Sequence, residues 1–386
     1  MIKRLAMAAM SMTLMGLGVP AESILTNSGM SGHQASAPAP APVGVAVPVP
    51  DVPNVKSIPV VSESAPIAAP IAAPIAAPTV TPAKPVHEDL ILLTVDKSRL
   101  SADLRTLPEA GKSSELLKSF RIAIGKEDGD KQREGDNRTP EGIYFTALPI
   151  DGRALPHKYG PIAIPIDFPN PIDKFSRKTG YGIWLHGVEK DTRVDQAKVT
   201  EGCVAFYNSD IESLATWLQP DQAIVAIAHD TTQVNRPEEQ QAVQRRTQEW
   251  ADAWKARDLE RYMAFYSPEF VNADKNLKAW HGYKRVVFSS YKEMKVDFDL
   301  VRVITHPKYA LSVMNQDFRG DSRFVSVGRK MLYWMRGPDG NWYITREVFG
   351  NRKIKPMRFS EAEIATLTSR RSSASVSSGM GTAPNL

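Results

Sequence analysis

Cys203 is the only cysteine in a chain of 386 residues, so no intramolecular disulfide can claim it. His186 stands 17 positions earlier and is followed by Gly187, at the end of the apolar run Ile183-Trp184-Leu185. A thiol and an imidazole are the minimum for a sulfur nucleophile and its base. In Thr200-Glu201-Gly202-Cys203 the glycine permits a tight turn and brings backbone N–H groups close to a reacting carbonyl. A lone cysteine is also commonly a small buried hydrophobe, so the surrounding sequence must decide between the two.

Other chemistries fit less well. Ser289-Ser290-Tyr291-Lys292 matches S-x-x-K and Lys178-Thr179-Gly180 matches K-T-G, but the order is reversed and the two fall in different expected domains. Arg319-Gly320-Asp321 reads as an ordinary turn. The seven histidines show no H-E-x-x-H or clustered ligand spacing, so neither a metal nor another cofactor is expected. A net charge of +5 spread along the chain does not predict a nucleic-acid partner.

The elements that must position Cys203 and His186 are short strands. Residues 90–95, 120–124, 143–148, 161–166, 182–186, 203–207 and 223–228 are aliphatic or aromatic runs broken by Gly, Pro, Asp and Asn. They predict a mostly-β sandwich or barrel-like domain. Ser209-Asp210-Ile211-Glu212 reads as a capping box opening a helix to about Leu218.

Two further stretches complete a resemblance. Gly129 to Gly142 contains Thr139-Pro140-Glu141-Gly142, and Tyr159 to Asn170 reads Y-G-P-I-A-I-P-I-D-F-P-N. His186-Gly187 and Thr200-x-Gly202-Cys203 follow in order, with Asn208 and Asp210 after them. Over roughly residues 88 to 230 the chain resembles the L,D-transpeptidase (YkuD) catalytic domain. The resemblance implies attack on the L,D-bond between meso-diaminopimelate and D-alanine in a peptidoglycan stem tetrapeptide. It implies Cys203 as the nucleophile that forms a thioester, His186 as its base and the Gly187 carbonyl as the group orienting the imidazole. It also places the oxyanion hole at the N–H groups around Gly202 and Cys203. A thiolate beside an imidazolium, with a lowered thiol pKa and raised reactivity, is the expected resting state. Tyr159, Arg138 and Thr200 are the candidates for substrate binding. Many family members carry Arg two positions after the cysteine, where this chain has Ala205; Arg138 and Arg177 are the candidates to replace it.

Beyond a composition break near residues 231–239 the periodicity becomes helical at Val243, Thr247, Trp250 and Trp254, and again after Asp258. Strands are expected at 301–305, 309–314, 330–335 and 342–346, with a turn at Pro338-Asp339-Gly340-Asn341. This α+β order resembles the nuclear transport factor two-like (NTF2-like), or cystatin-like, cone. Trp250, Trp254, Tyr262, Tyr266, Trp334 and Trp342 are read as its core rather than a ligand pocket. The domain is expected to fold separately and to position a wall strand, form a homodimer or shield the cleft.

The expected organisation is therefore a signal peptide (1–21), a Pro/Ala-rich linker (22–86), the catalytic domain (87–230), the α+β domain (231–355) and a disordered tail (356–386). The basic start, the apolar run Leu5 to Gly18 and Val19-Pro20-Ala21 point to export and a wall-associated periplasmic location. The whole pattern resembles the cell-shape L,D-carboxypeptidases of helical bacteria, in which water resolves the thioester. True transpeptidation onto a diaminopimelate amine, and a non-catalytic wall-binding scaffold, are the two alternatives.

Overall fold

The computed structural model describes residues 86–109, 111–321 and 324–369. The expected signal peptide, nearly all of the expected linker and the chain beyond 369 lie outside the described residues.

The N-terminal domain contains β1 (Val86–Asp96), β2 (Ser101–Leu107), β3 (Leu116–Gly125), β4 (Gly142–Phe145), β5 (Ile150–Asp151), β6 (Ile162–Pro165), α1 (Pro171–Phe175), β7 (Trp184–His186), β8 (Lys198–Thr200), β9 (Val204–Phe206), α2 (Asn208–Ala215) and β10 (Ala223–Ala228). The main path of its sheet runs β4-β10-β1-β2-β3-β9-β7-β6-β5. β1 and β10 read as unbroken apolar runs because both of their faces are covered. Ile91, Leu93 and Val95 enter the core shared with Phe120, Leu185, Phe206 and Leu214. Leu90 and Leu92, on the opposite face, enter a second core.

That second core joins the two domains. Ile143, Phe145, Ile224 and Ala226 meet Ile304, Leu311, Val313, Met331 and Tyr333 from the C-terminal half. The half expected from composition to fold separately therefore shares a buried core with the N-terminal domain. Polar pins cross the same seam. The buried Tyr309 hydroxyl accepts from Ile143 N (2.5 Å) and Asn170 Nδ2 (2.7 Å) and donates to Ile143 O (3.1 Å). Lys308 reaches Asp130 (2.7 Å) and Glu141 (3.0 Å), and Lys178 bonds Asp130 (2.7 Å) and Asp173 (2.8 Å). The loop from Gly129 to Gly142 is thus held from both domains.

The C-terminal domain contains α3 (Pro237–Lys255), α4 (Leu259–Met263), β11 (Val271–Asn272), β12 (Lys275–Asn276), α5 (Leu277–Ser290), β13 (Met294–Thr305), β14 (Ala310–Gly320), β15 (Phe324–Arg336) and β16 (Trp342–Gly350). Strands β13 to β16 form an antiparallel sheet in sequence order, and the six aromatics read as core are buried in one cluster with it. Asp258 caps α4 by accepting from Arg261 N. The interior is not purely apolar. Lys330 and Glu347 pair at 2.6 Å, and Tyr266 OH donates to Glu347 at 2.6 Å. The buried Lys284 ammonium lies over Trp254, Trp280 and Tyr262, 4.0, 4.7 and 5.1 Å from the ring centres. Burial pushes its pKa down to about 7, against the attraction of Glu347.

The expected disordered tail begins instead with ordered structure. β17 (Met357–Ser360) returns to the N-terminal domain and pairs antiparallel with β1, from Val86↔Ser360 to Asp89↔Met357. α6 (Glu361–Ser369) follows and packs on β3. Phe359 stacks on His87 (5.2 Å) and meets Trp217 edge-on (5.0 Å), and Leu367 is buried in the same core.

Candidate active site

Cys203 sits in the turn between β8 and β9. The Thr200 hydroxyl ties this turn, donating to Cys203 O (2.7 Å) and accepting from Gly202 N (3.2 Å). Gly202 has φ +126°, and a Cβ there would lie 2.8 Å from the Arg138 carbonyl oxygen, so only glycine fits. β9 then runs parallel to β7 and pairs Ala205 with His186, which brings the two functional segments side by side.

The His186 ring is buried. Its Nδ1 lies 2.5 Å from Gly187 O. A carbonyl only accepts, so Nδ1 carries the proton and Nε2 is the bare nitrogen. Gly187 is itself confined, because a Cβ would approach Pro161 Cδ to 2.7 Å and collide with Asn208 Oδ1. Asn208 Oδ1 is already engaged by Val188 N at 2.8 Å. Tyr159 packs against the imidazole edge-to-face, 5.0 Å between centres. Burial pushes His186 down to about 4, opposed by the Gly187 bond and assisted by Arg193 and Lys158.

The half-buried Cys203 accepts a hydrogen bond at Sγ from Trp184 N (3.4 Å), and Sγ–H points to Gly182 O (3.6 Å). Desolvation outweighs the Trp184 bond and pushes the thiol up to about 11. The resting pair is a neutral thiol and a neutral imidazole across the neutral pH range. This reverses the expected thiolate–imidazolium pair. No carboxylate holds the ring among the described residues, and burial of both groups disfavours their charged forms.

Cys203, His186, Tyr159, Thr200 and Ala205 line one cavity, together with Lys158, Arg193 and Glu201. Residues 94–227 match the L,D-transpeptidase catalytic domain (YkuD), and residues 242–348 match the Cds6 C-terminal NTF2-like domain. The chain carries an L,D-transpeptidase catalytic domain followed by an NTF2-like domain. That catalytic family acts on peptidoglycan peptides. Among solved structures, Bd1075 of Bdellovibrio bacteriovorus superposes with a TM-score of 0.58 at 26% identity, covering 71% of this chain and 94% of that one. The helical cell shape determining protein Pgp2 of Campylobacter jejuni superposes with a TM-score of 0.57 at 22% identity, covering 69% and 93%. The latter likeness is one of fold. No curated protein matches the chain.

Within the L,D-transpeptidase domain the candidates separate. Cys203, His186, Tyr159 and Thr200 converge on the cavity, with Gly187 and Gly202 supplying backbone beside them. Arg138 does not line it. Its guanidinium extends toward Gly129 and only its carbonyl abuts Gly202. Arg177 is exposed just after α1. The Gly202 N–H, expected in the oxyanion hole, is spent on Thr200 Oγ1. The cations that do line the cavity are Lys158 and Arg193. Lys158 lies over the Tyr159 ring (5.1 Å) and 4.0 Å from Glu201. Arg193 Nη2 donates to Val199 O at 3.0 Å. Both come from short helical turns with no periodic signature, so only the folded chain reveals them.

Proposed function

We propose that this chain is an exported, wall-associated cysteine L,D-carboxypeptidase that trims stem tetrapeptides to tripeptides. We extend to it the cell-shape role of Pgp2, the helical cell shape determining protein. The carrying observation is a single thiol lining the same cavity as an imidazole whose Nδ1–H is committed to Gly187 O. In this reading Cys203 Sγ attacks the diaminopimelate carbonyl while His186 Nε2 takes the thiol proton. The Gly187 carbonyl stabilises the imidazolium that forms, and the Cys203 N–H faces the developing oxyanion. His186 then protonates the departing D-alanine amine and a thioester remains. Water attacks that thioester with His186 accepting its proton, and the released sulfur recovers a proton. The sum is peptide plus water giving tripeptide plus D-alanine.

Incubation with purified muropeptides and mass analysis tests the reading. Tripeptide as the only product is expected. Diaminopimelate-linked dimers would move the acceptor from water to an amine, and no product from folded protein would remove the enzyme reading. Cys203→Ala should abolish turnover without unfolding the chain, and His186→Ala should cost on the order of 10³-fold. The double variant should be little worse than Cys203→Ala, since the two act as one unit.

A further inference from the structure

Arg193 and Val199 line the cavity that holds Cys203. They also form one wall of a second, wider groove. Its other charged residues are Lys126, Lys190 and Lys198, against the single acid Glu189. Lys198 is paired with Asp128 at 2.6 Å. Lys126, Lys190 and Arg193 make no ion pair among the described residues, and both lysines are exposed. Three cations without an ion pair among the described residues therefore line one groove, which shares Arg193 and Val199 with the Cys203 cavity. Isolated exposed lysines mean little, but cations lining one concavity repel each other, and an anionic ligand relieves that repulsion. Arg193 holds the junction. Its fork is half-committed to Val199 O, which leaves other guanidinium donors free for a carboxylate.

We propose that this groove is a carboxylate-reading subsite. Arg193 takes the free C-terminal carboxylate of the residue to be released, and Lys126 and Lys190 hold further carboxylates of the same acidic peptide. The inference rests on the proposed peptidase reading and sharpens it. It makes the free C-terminal carboxylate the group by which the proposed substrate is recognised. It also places the positive charge absent at Ala205 on a different element, the turn Asp191–Gln196.

Calorimetry on the full-length Cys203→Ala protein tests this without turnover. The probes are a synthetic stem tetrapeptide, its C-terminal amide and hexaglutamate. The tetrapeptide should bind about tenfold more tightly than its amide, and Arg193→Gln should erase that preference. Lys126→Glu with Lys190→Glu should weaken tetrapeptide binding about tenfold at low salt, less at high salt, with an unchanged melting temperature. Equal affinity for acid and amide, or an unchanged Kd in the double variant, overturns the proposal. Hexaglutamate binding that the double variant loses, in a protein that leaves muropeptides untouched, would retain the anionic groove and discard the peptidase reading.

Discussion

The neutral resting pair predicts how Cys203 meets a neutral alkylating reagent. With the thiol at about 11 rather than 9.0, the thiolate fraction at pH 7 falls about 100-fold, equivalent to about 2.7 kcal/mol. A more basic thiolate is also a better nucleophile, with a Brønsted slope of about 0.45, which restores nearly tenfold. Cys203 should therefore react with iodoacetamide roughly tenfold more slowly than an ordinary exposed cysteine at pH 7. The rate should climb about tenfold per pH unit from 6 to 10 without a plateau. The chain has one thiol, so the mass increase reports a single site. His186→Ala should react no more slowly than the parent, since no imidazolium is holding a thiolate. Muropeptide turnover should persist down to about pH 5, because His186 protonates only near 4, whereas an ordinary histidine is charged by about 6. A rate plateau below pH 7, together with a large fall in His186→Ala, would refute the reasoning and restore the ion pair.

Three further outcomes follow from the packing. Tyr309→Phe strips a buried hydroxyl from Ile143 and Asn170 and should cost about 1–3 kcal/mol in urea unfolding. Lys284→Met should stabilise the protein by on the order of 4 kcal/mol at pH 6. The sign follows from a folded pKa of about 7 against 10.5: the unfolded chain binds the extra proton between those values, so parent stability rises with pH across that window. The variant should lose this slope, as unfolding at pH 6 and 9 would show. Deleting residues 231–386 should yield insoluble protein rather than a smaller enzyme, because it bares Leu90, Leu92, Ile143 and Ile224; a cooperative melt from the fragment would contradict the shared core.

The proposed nucleophile and base were legible because their chemistry is carried by residue type and local order, Cys203 being unique and His186-Gly187 adjacent. β1 and β10 were legible because their apolar runs are long and continuous. β2 was missed, although Ala102 and Leu104 alternate inward, because Asp103 and Arg105 mask the period. α5 was missed because its inward face carries Lys284. The expected capping box at Ser209 does not form. The helix starts two residues earlier, with Tyr207 at the cap position, and Asn208 is drawn into bonding Val188 and Asp191. Arg193 and Lys158 reach the cavity only because β8, β9 and the turns beside them fold together. β17 has its apolar residues at Met357 and Phe359, too short a signal beside a serine-rich stretch.

The return of β17 to β1 sets an order of assembly. β1 is the first described strand to be synthesised, yet its edge from Val86 to Asp89 has no partner until residue 360 exists. A nascent chain that has completed every cavity residue, from Lys158 to Ala205, still lacks Phe359 and Leu367 in the core below them. Contacts of such long sequence separation form late and slowly. The core beneath the candidate site is therefore incomplete until residue 367 has been made, more than 150 residues after Ala205.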